Sequence, residues 1–393
     1  MTDPNPRPIV LNPTPTEEHP PAVGIAQPPR RRIGTIVLAV LGFAVLIVIV
    51  FVVAIYLFAV LGPQVLVYSI ILAAIPLVVV LFFIRWIDRW EPEPRGALLF
   101  AFLWGAAASV FIALVFSSIS QNYQAAAGLT KTAAAQFFSA VIQAPIVEET
   151  AKGFGILLLL WALRHTFDGP VDGVVYGATI GIGFAFTENL QYFGLAIIDD
   201  HGLGGDVAQT FILRAILSPF AHVMFTSCTG LALGFAARNS SRIGSLWYFI
   251  GGLIPAVFFH AFWNSASYWA TNWFGYYFFI QVPLFIVAIV GVARLRRHEQ
   301  LLTYRRLSEY AAVGWFSEGE VNLLSTGAGR RSGLAWAKRN GIGRQYKRFI
   351  ADATKLAFTR ERLVTGKDRI GATQDEAALL AAITADRQAL AGR

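Results

Sequence analysis

The chain has 393 residues, 55% of them hydrophobic and only 14% charged, with a formal net charge of +8 and a mean hydropathy of +0.56. Soluble domains carry roughly 25% charged residues, so this composition excludes an ordinary water-soluble enzyme and predicts an all-α polytopic membrane protein. The single cysteine, Cys228, falls inside an apolar stretch, which excludes a disulfide framework.

Residues 1–32 hold nine of the 18 prolines and almost no apolar periodicity, which predicts a disordered cytosolic tail. After it, stretches of about 20 apolar residues, the length that crosses a bilayer, recur along the chain. About eight are predicted, at 33–60, 65–84, 97–119, 134–160, 171–198, 210–237, 245–269 and 274–293. The first is far longer than the 7–15-residue core of a cleaved signal peptide, and no small-residue cleavage site follows it. Residues 298–393 are polar, with 16 Lys/Arg against ten Asp/Glu, and predict a basic cytosolic extension containing helical patches such as QDEAALLAAITADRQALA. No nucleic-acid motif accompanies that charge.

Lys and Arg near the span ends set the expected orientation, because short cytoplasmic loops keep the excess positive charge. Arg30, Arg31, Arg32, Arg85, Arg89, Arg95, Arg164, Arg238, Arg242, Arg294, Arg296 and Arg297 fall on one side, and only Lys131 and Arg214 on the other. Both termini are thereby placed in the cytoplasm, with the protein in the cell membrane. Between the second and third spans, DRWEPEP combines Trp90 and Arg89 with prolines, as an interfacial anchor would.

Small residues mark where helices approach closely in lipid. The fifth span carries Gly173, Gly177, Gly181 and Ala185 at four-residue spacing, with Glu188 on the same face, and the sixth carries His222, Thr226, Gly230 and Gly234. Polar groups therefore share the close-packing faces and should point into the bundle.

Ionisable residues near the bilayer midplane form a short set: Glu148, Glu149 and Lys152, Glu188, His222, and His260. A charged residue at a helix centre costs about 2.5–3.5 kcal/mol on insertion scales, so such groups persist where they face a polar interior and have work there. From the helical rise, Glu148 and His222 lie within roughly 2 Å of their span centres and Glu188 and His260 about 4–6 Å outward, so the four can meet in one layer. Lys152 is one turn from Glu148 and can pair with it or with Glu149. Adjacent helix residues point about 100° apart, so one carboxylate can face a reaction centre while the other is held by Lys152 or a neighbouring helix. Burial of a lone carboxylate suits it to act as a general base. In HAFWN, His260 and Asn264 share a helix face; the histidine can orient water or ligate a metal, and the asparagine amide can donate to an oxyanion. These are the parts of peptide-bond hydrolysis. HExxH, GxSxG and a pair of intramembrane Asp residues do not occur in the sequence. A proton-coupled transporter would use the same Glu and His residues as a relay, and a non-catalytic scaffold is the third reading.

Four segments, in this order and separation, carry a resemblance: EETAK (Glu148, Glu149, Lys152), FAFTENLQYF (Glu188, Asn189), HVMFTSCTG (His222) and HAFWN (His260, Asn264). DRWEPEP is a fifth. Over roughly residues 70–293 the sequence resembles the PrsW family of intramembrane proteases, more distant relatives of the CAAX-processing and bacteriocin-processing enzymes. The resemblance implies a protease domain within 33–297 that hydrolyses a peptide bond of a membrane-anchored protein, an anti-sigma factor by family analogy. It implies Glu148 as general base, Glu149 as second carboxylate or ligand, His222 and His260 as metal ligands or water-orienting groups, and Asn264 as oxyanion donor. Lys152, Glu188 and Asn189 support them. A divalent metal, zinc, held by His222, His260 and Glu149 is the implied cofactor.

Overall fold

The computed structural model describes residues 33–129, 132–164, 166–365 and 372–391, and all of its regular structure is helical. The expected tail 1–32, with Arg30, Arg31 and Arg32, and Lys131 lie outside the described residues. The chain divides into two compact units, one of residues 31–295 and one whose described part begins at Arg296.

In the first unit, α1 (Ile33–Ile87) is a pair of arms bent at Gly62, which adopts φ 74° ahead of Pro63. Glycine meets no steric penalty there, and proline cannot donate the bond that would continue the helix. Then come α2 (Arg95–Ala126), α3 (residues 133–162), α4 (Pro170–Asp199), α5 (residues 205–217), α6 (Ala221–Asn239), α7 (Ser245–Trp269) and α8 (Trp273–Ala312), whose residues from Arg296 onward belong to the second unit. Among the described residues, five helical stretches are long and apolar enough to cross a membrane: Val40–Ile87, Arg95–Ala126, Gly205–Asn239, Ser245–Trp269 and Trp273–Ala312. The eight expected crossings differ from these five by dividing α1 at Gly62 and by adding α3 and α4. Both added helices are diluted in apolar content, α3 by Glu148, Glu149 and Lys152 and α4 by its glycines and acids. Large side chains face outward along the apolar stretches, among them Phe82, Phe279 and Val287, as a lipid-facing surface requires.

Helix α4 is the hub. Its glycines let two neighbours touch its backbone: a Cβ at Gly173 would stand 2.0 Å from the Gly230 oxygen of α6, and one at Gly183 would stand 2.3 Å from the Phe102 oxygen of α2. Gly177 and Gly181 meet the backbone of Thr226 and His222 in the same way. Most of α4 is buried as a result, and the small-residue stripe brings Glu188 next to His222.

The DRWEPEP segment is not an exposed anchor. Trp90 and Glu93 are buried, the Tyr176 hydroxyl of α4 donates to Glu93 at 2.6 Å, and the Glu93 amide donates to Asp88 at 2.8 Å. Burial and the nearby Asp172 carboxylate push the Glu93 carboxyl well above its ordinary range. The prolines still stop one helix and start the next, but the acids serve to tie the turn to α4.

The second unit is a helical bundle with its own core. Helix α9 (Glu318–Ser325) opens with a capping box between Ser317 and Glu320, and α10 (Gly327–Arg339), α11 (Gly343–Val364) and α12 (Ala372–Ala391) come after it. Phe316, Leu324, Tyr346, Phe349, Leu356 and Ile383 are buried together. The extension predicted as basic and partly helical is therefore a packed domain.

Candidate active site

Helix α3 is not uniform. Residues 138–143 form a π turn, immediately before Pro145. Proline has no N–H, so a carbonyl one turn earlier has no helical partner, and a wide turn is one way to absorb the mismatch. The Asn264 amide of α7 donates to the Ala140 oxygen, inside that turn, at 2.8 Å. Asn264 thus fastens α7 to the bend that aims the Glu pair with one of the two N–H groups of its amide.

Four turns of helix then converge. The Lys152 ammonium, fully buried, donates to Glu149 Oε1 at 2.8 Å and Glu148 Oε2 at 3.2 Å, and lies 3.2 Å from His222 Nδ1. Its Nζ also sits 3.7 Å from the centroid of the Phe184 ring. Glu149 is engaged on every side, since its Oε2 accepts from Thr226 Oγ1 at 2.9 Å and its Oε1 meets His260 Nδ1 at 3.0 Å. Glu148 keeps one open face, with His260 Nε2 3.9 Å from its Oε2. The two imidazoles pack edge to face with centroids 5.0 Å apart, and Phe225 stacks on His260.

These contacts fix both tautomers. An ammonium only donates, so His222 Nδ1 must accept, and its proton sits on Nε2, which donates to Glu188 Oε2 at 2.9 Å. A carboxylate only accepts, so His260 carries a proton on Nδ1, and in its neutral form it turns the Nε2 lone pair toward Glu148. Each histidine is thereby held from outside by a carboxylate, the arrangement that orients metal-ligating imidazoles. Ligand atoms of Glu148, His222 and His260 all lie within 4.8 Å of one another. Glu148, and not Glu149, joins the two histidines in that group, because Glu149 points to Thr226 and the far side of His260.

The sixth apolar stretch also departs from expectation. It is broken at Ser218–Phe220, so His222 occupies the first turn of α6 and not the middle of one long helix. Carbonyls at the break find partners: Tyr277 Oη donates to Leu217 at 2.7 Å and Ser218 Oγ to Leu213 at 2.7 Å. Just before the break stands Arg214, in a π turn of residues 212–217. Charge counting places it merely on the outer side, yet it ion-pairs with Glu188 and its Nε donates to Asn189 Oδ1 at 2.7 Å. An arginine inside the apolar run TFILRAILSPF is the sequence signal that marks it.

The sequence profile of the PrsW family intramembrane metalloproteases matches residues 93–288, which include the whole cluster. A curated protein named Protease PrsW from Geobacillus kaustophilus is 30% identical over 220 residues, covering 56% of this chain and 85% of the relative. The chain belongs to the PrsW family. Proteins of the same name from Clostridioides difficile and Bacillus subtilis are 30% and 25% identical, over 74% and 78% of their lengths. No solved structure matches the chain. As a PrsW-family member the chain is a multi-pass membrane peptidase acting on protein. That answers the transporter and scaffold alternatives.

Proposed function

We propose that this PrsW-family chain hydrolyses a peptide bond of a membrane-anchored protein with a water activated by Glu148. The observation that carries the reading is the pairing of two acceptors 3.9 Å apart, His260 Nε2 and Glu148 Oε2, the second of which also accepts from Lys152. A water between them can donate to both, which turns its oxygen lone pair outward. Glu148 takes the proton as that oxygen adds to the scissile carbonyl carbon, and returns it to the amine when the C–N bond breaks. Lys152 donates to Glu148 and is the nearest positive charge to the developing oxyanion.

The donor set also suits a metal: two imidazoles and one carboxylate, both imidazoles oriented from outside, are a three-ligand catalytic zinc set. Glu148, His222 and His260 would hold the ion, and the Lys152 ammonium lies 3.2 Å from both Glu148 Oε2 and His222 Nδ1. When bound, such an ion polarises a carbonyl and acidifies water.

The substrate is a single-pass regulatory protein, an anti-sigma factor by family analogy, in the cell membrane, and both termini of the protease face the cytoplasm. The test is cleavage of a single-pass substrate by purified protein in nanodiscs. Glu148→Gln should abolish cleavage while the protein accumulates normally, and cleavage at the wild-type rate would refute the role of Glu148. Elemental analysis of wild type, His222→Ala and His260→Ala decides the metal: about one zinc per chain, lost in both variants, supports the three-ligand site.

A further inference from the structure

The network around His222 continues past Glu188. Arg214 comes from α5, and one stretch of α4 grips it: Glu188 accepts from its Nη2, Asn189 from its Nε, and the Tyr192 ring lies 3.9 Å from its guanidinium carbon. Glu188 Oε2, the oxygen that meets Arg214, is also the one that accepts from His222 Nε2 at 2.9 Å. Arginine in hydrocarbon is costly unless it is paired, so a guanidinium held on three sides here has a partner to serve.

The two histidines are supported in parallel fashion. Glu149 holds His260, and Glu149 is itself fixed by Thr226 and Lys152. Glu188 holds His222, and Arg214 fixes Glu188. The charges point the same way. Glu148, Glu149 and Glu188 are three carboxylates served by two cations, Lys152 and Arg214. Without Arg214, Lys152 would be left to serve all three.

We propose that Arg214 is a positioning residue: by clamping Glu188 it holds His222 as the Nε2–H tautomer with Nδ1 turned inward. It touches no reacting atom. The proposal rests on the hydrolytic reading only for its kinetic consequence, so it is tested first by a readout that needs no substrate.

That readout is the rate at which diethylpyrocarbonate acylates each histidine of the detergent-purified full chain, followed by mass spectrometry. In wild type both nitrogens of His222 are engaged, so the reaction should be slow. Arg214→Ala should speed acylation of His222 by about tenfold and leave His260 unchanged, with Arg214→Lys in between. An unchanged His222 rate would overturn the proposal, and so would equal acceleration at both histidines, which would mark Arg214 as a general fold residue. If Arg214→Ala does not accumulate, Arg214→Lys and Arg214→Gln carry the same comparison. In the cleavage assay, Arg214→Ala should lower kcat by about 10–100-fold with KM little changed. A wild-type protein that cleaves no substrate would defeat the hydrolytic reading while the acylation result still decides the role of Arg214.

Discussion

Glu149 Oε1 lies 3.0 Å from His260 Nδ1 and 2.8 Å from the Lys152 ammonium, so a single oxygen sets the tautomer of one residue and the position of another. Of the two adjacent glutamates, the one turned away from the open face is the one with the more complete set of partners. Glu149→Gln keeps the shape but not the charge, and His260 loses its firm orientation. Single-turnover cleavage should fall by about 10–100-fold, short of the complete loss expected for Glu148→Gln. Wild-type turnover in Glu149→Gln would show that His260 is held some other way.

Asn264 separates two roles. As a fastener of the π turn, its loss leaves the Ala140 carbonyl without a partner, at a cost of about 1–3 kcal/mol. Asn264→Ala should therefore lower the melting temperature in detergent while turnover stays within about tenfold of wild type below that temperature. A turnover loss of about 10²–10³ at unchanged stability would instead support the oxyanion role.

The close contact of α4 and α6 can be probed at Gly181, where a Cβ would stand 2.7 Å from the His222 oxygen. Gly181→Ala must push apart the backbones that carry Glu188 and His222, and a displacement of about 1 Å at a catalytic group can cost about 10²-fold in rate. Gly251→Ala is the matched control, because a Cβ there meets nothing within 4 Å. Equal rates in the two variants would show that the stripe does not position the site.

Asp386 in the second unit offers a pH test. Burial, and then the neighbouring Asp352 carboxylate, raise its carboxyl to about 6, against the partial relief of Arg348 at 3.3 Å. Since the folded value exceeds the unfolded one, the folded state holds the proton more tightly, and stability falls as pH rises from about 4 to about 6, then levels off. Asp386→Asn mimics the protonated form and should stabilise the unit by on the order of 1 kcal/mol at pH 8 and by little at pH 4. Thermal unfolding at both pH values checks this, and a gain that is the same at both would exclude titration of Asp386 as its source.

The sequence alone determined the solvent and the chemistry. Apolar runs of bilayer length dictate helices, four-residue spacing of glycines dictates a close-packing face, and Glu148, Lys152, His222 and His260 stand out because each is costly in lipid. It did not determine which way those groups turn, since that depends on packing partners and on departures from the 3.6-residue period. The π turn before Pro145 and the break at Ser218–Phe220 each rotate the next stretch of helix about its axis, and neither has a periodic signature. Tertiary packing therefore decided that Glu148, and not Glu149, keeps the open face toward His260. It decided that Asn264 serves the backbone, and it carried Arg214 from the apparent outer edge of a span to the flank of the site. The physical reason is common to all three: a buried polar group turns toward whichever partner satisfies it, and that partner lies on another helix, between 25 and 124 residues away in the chain.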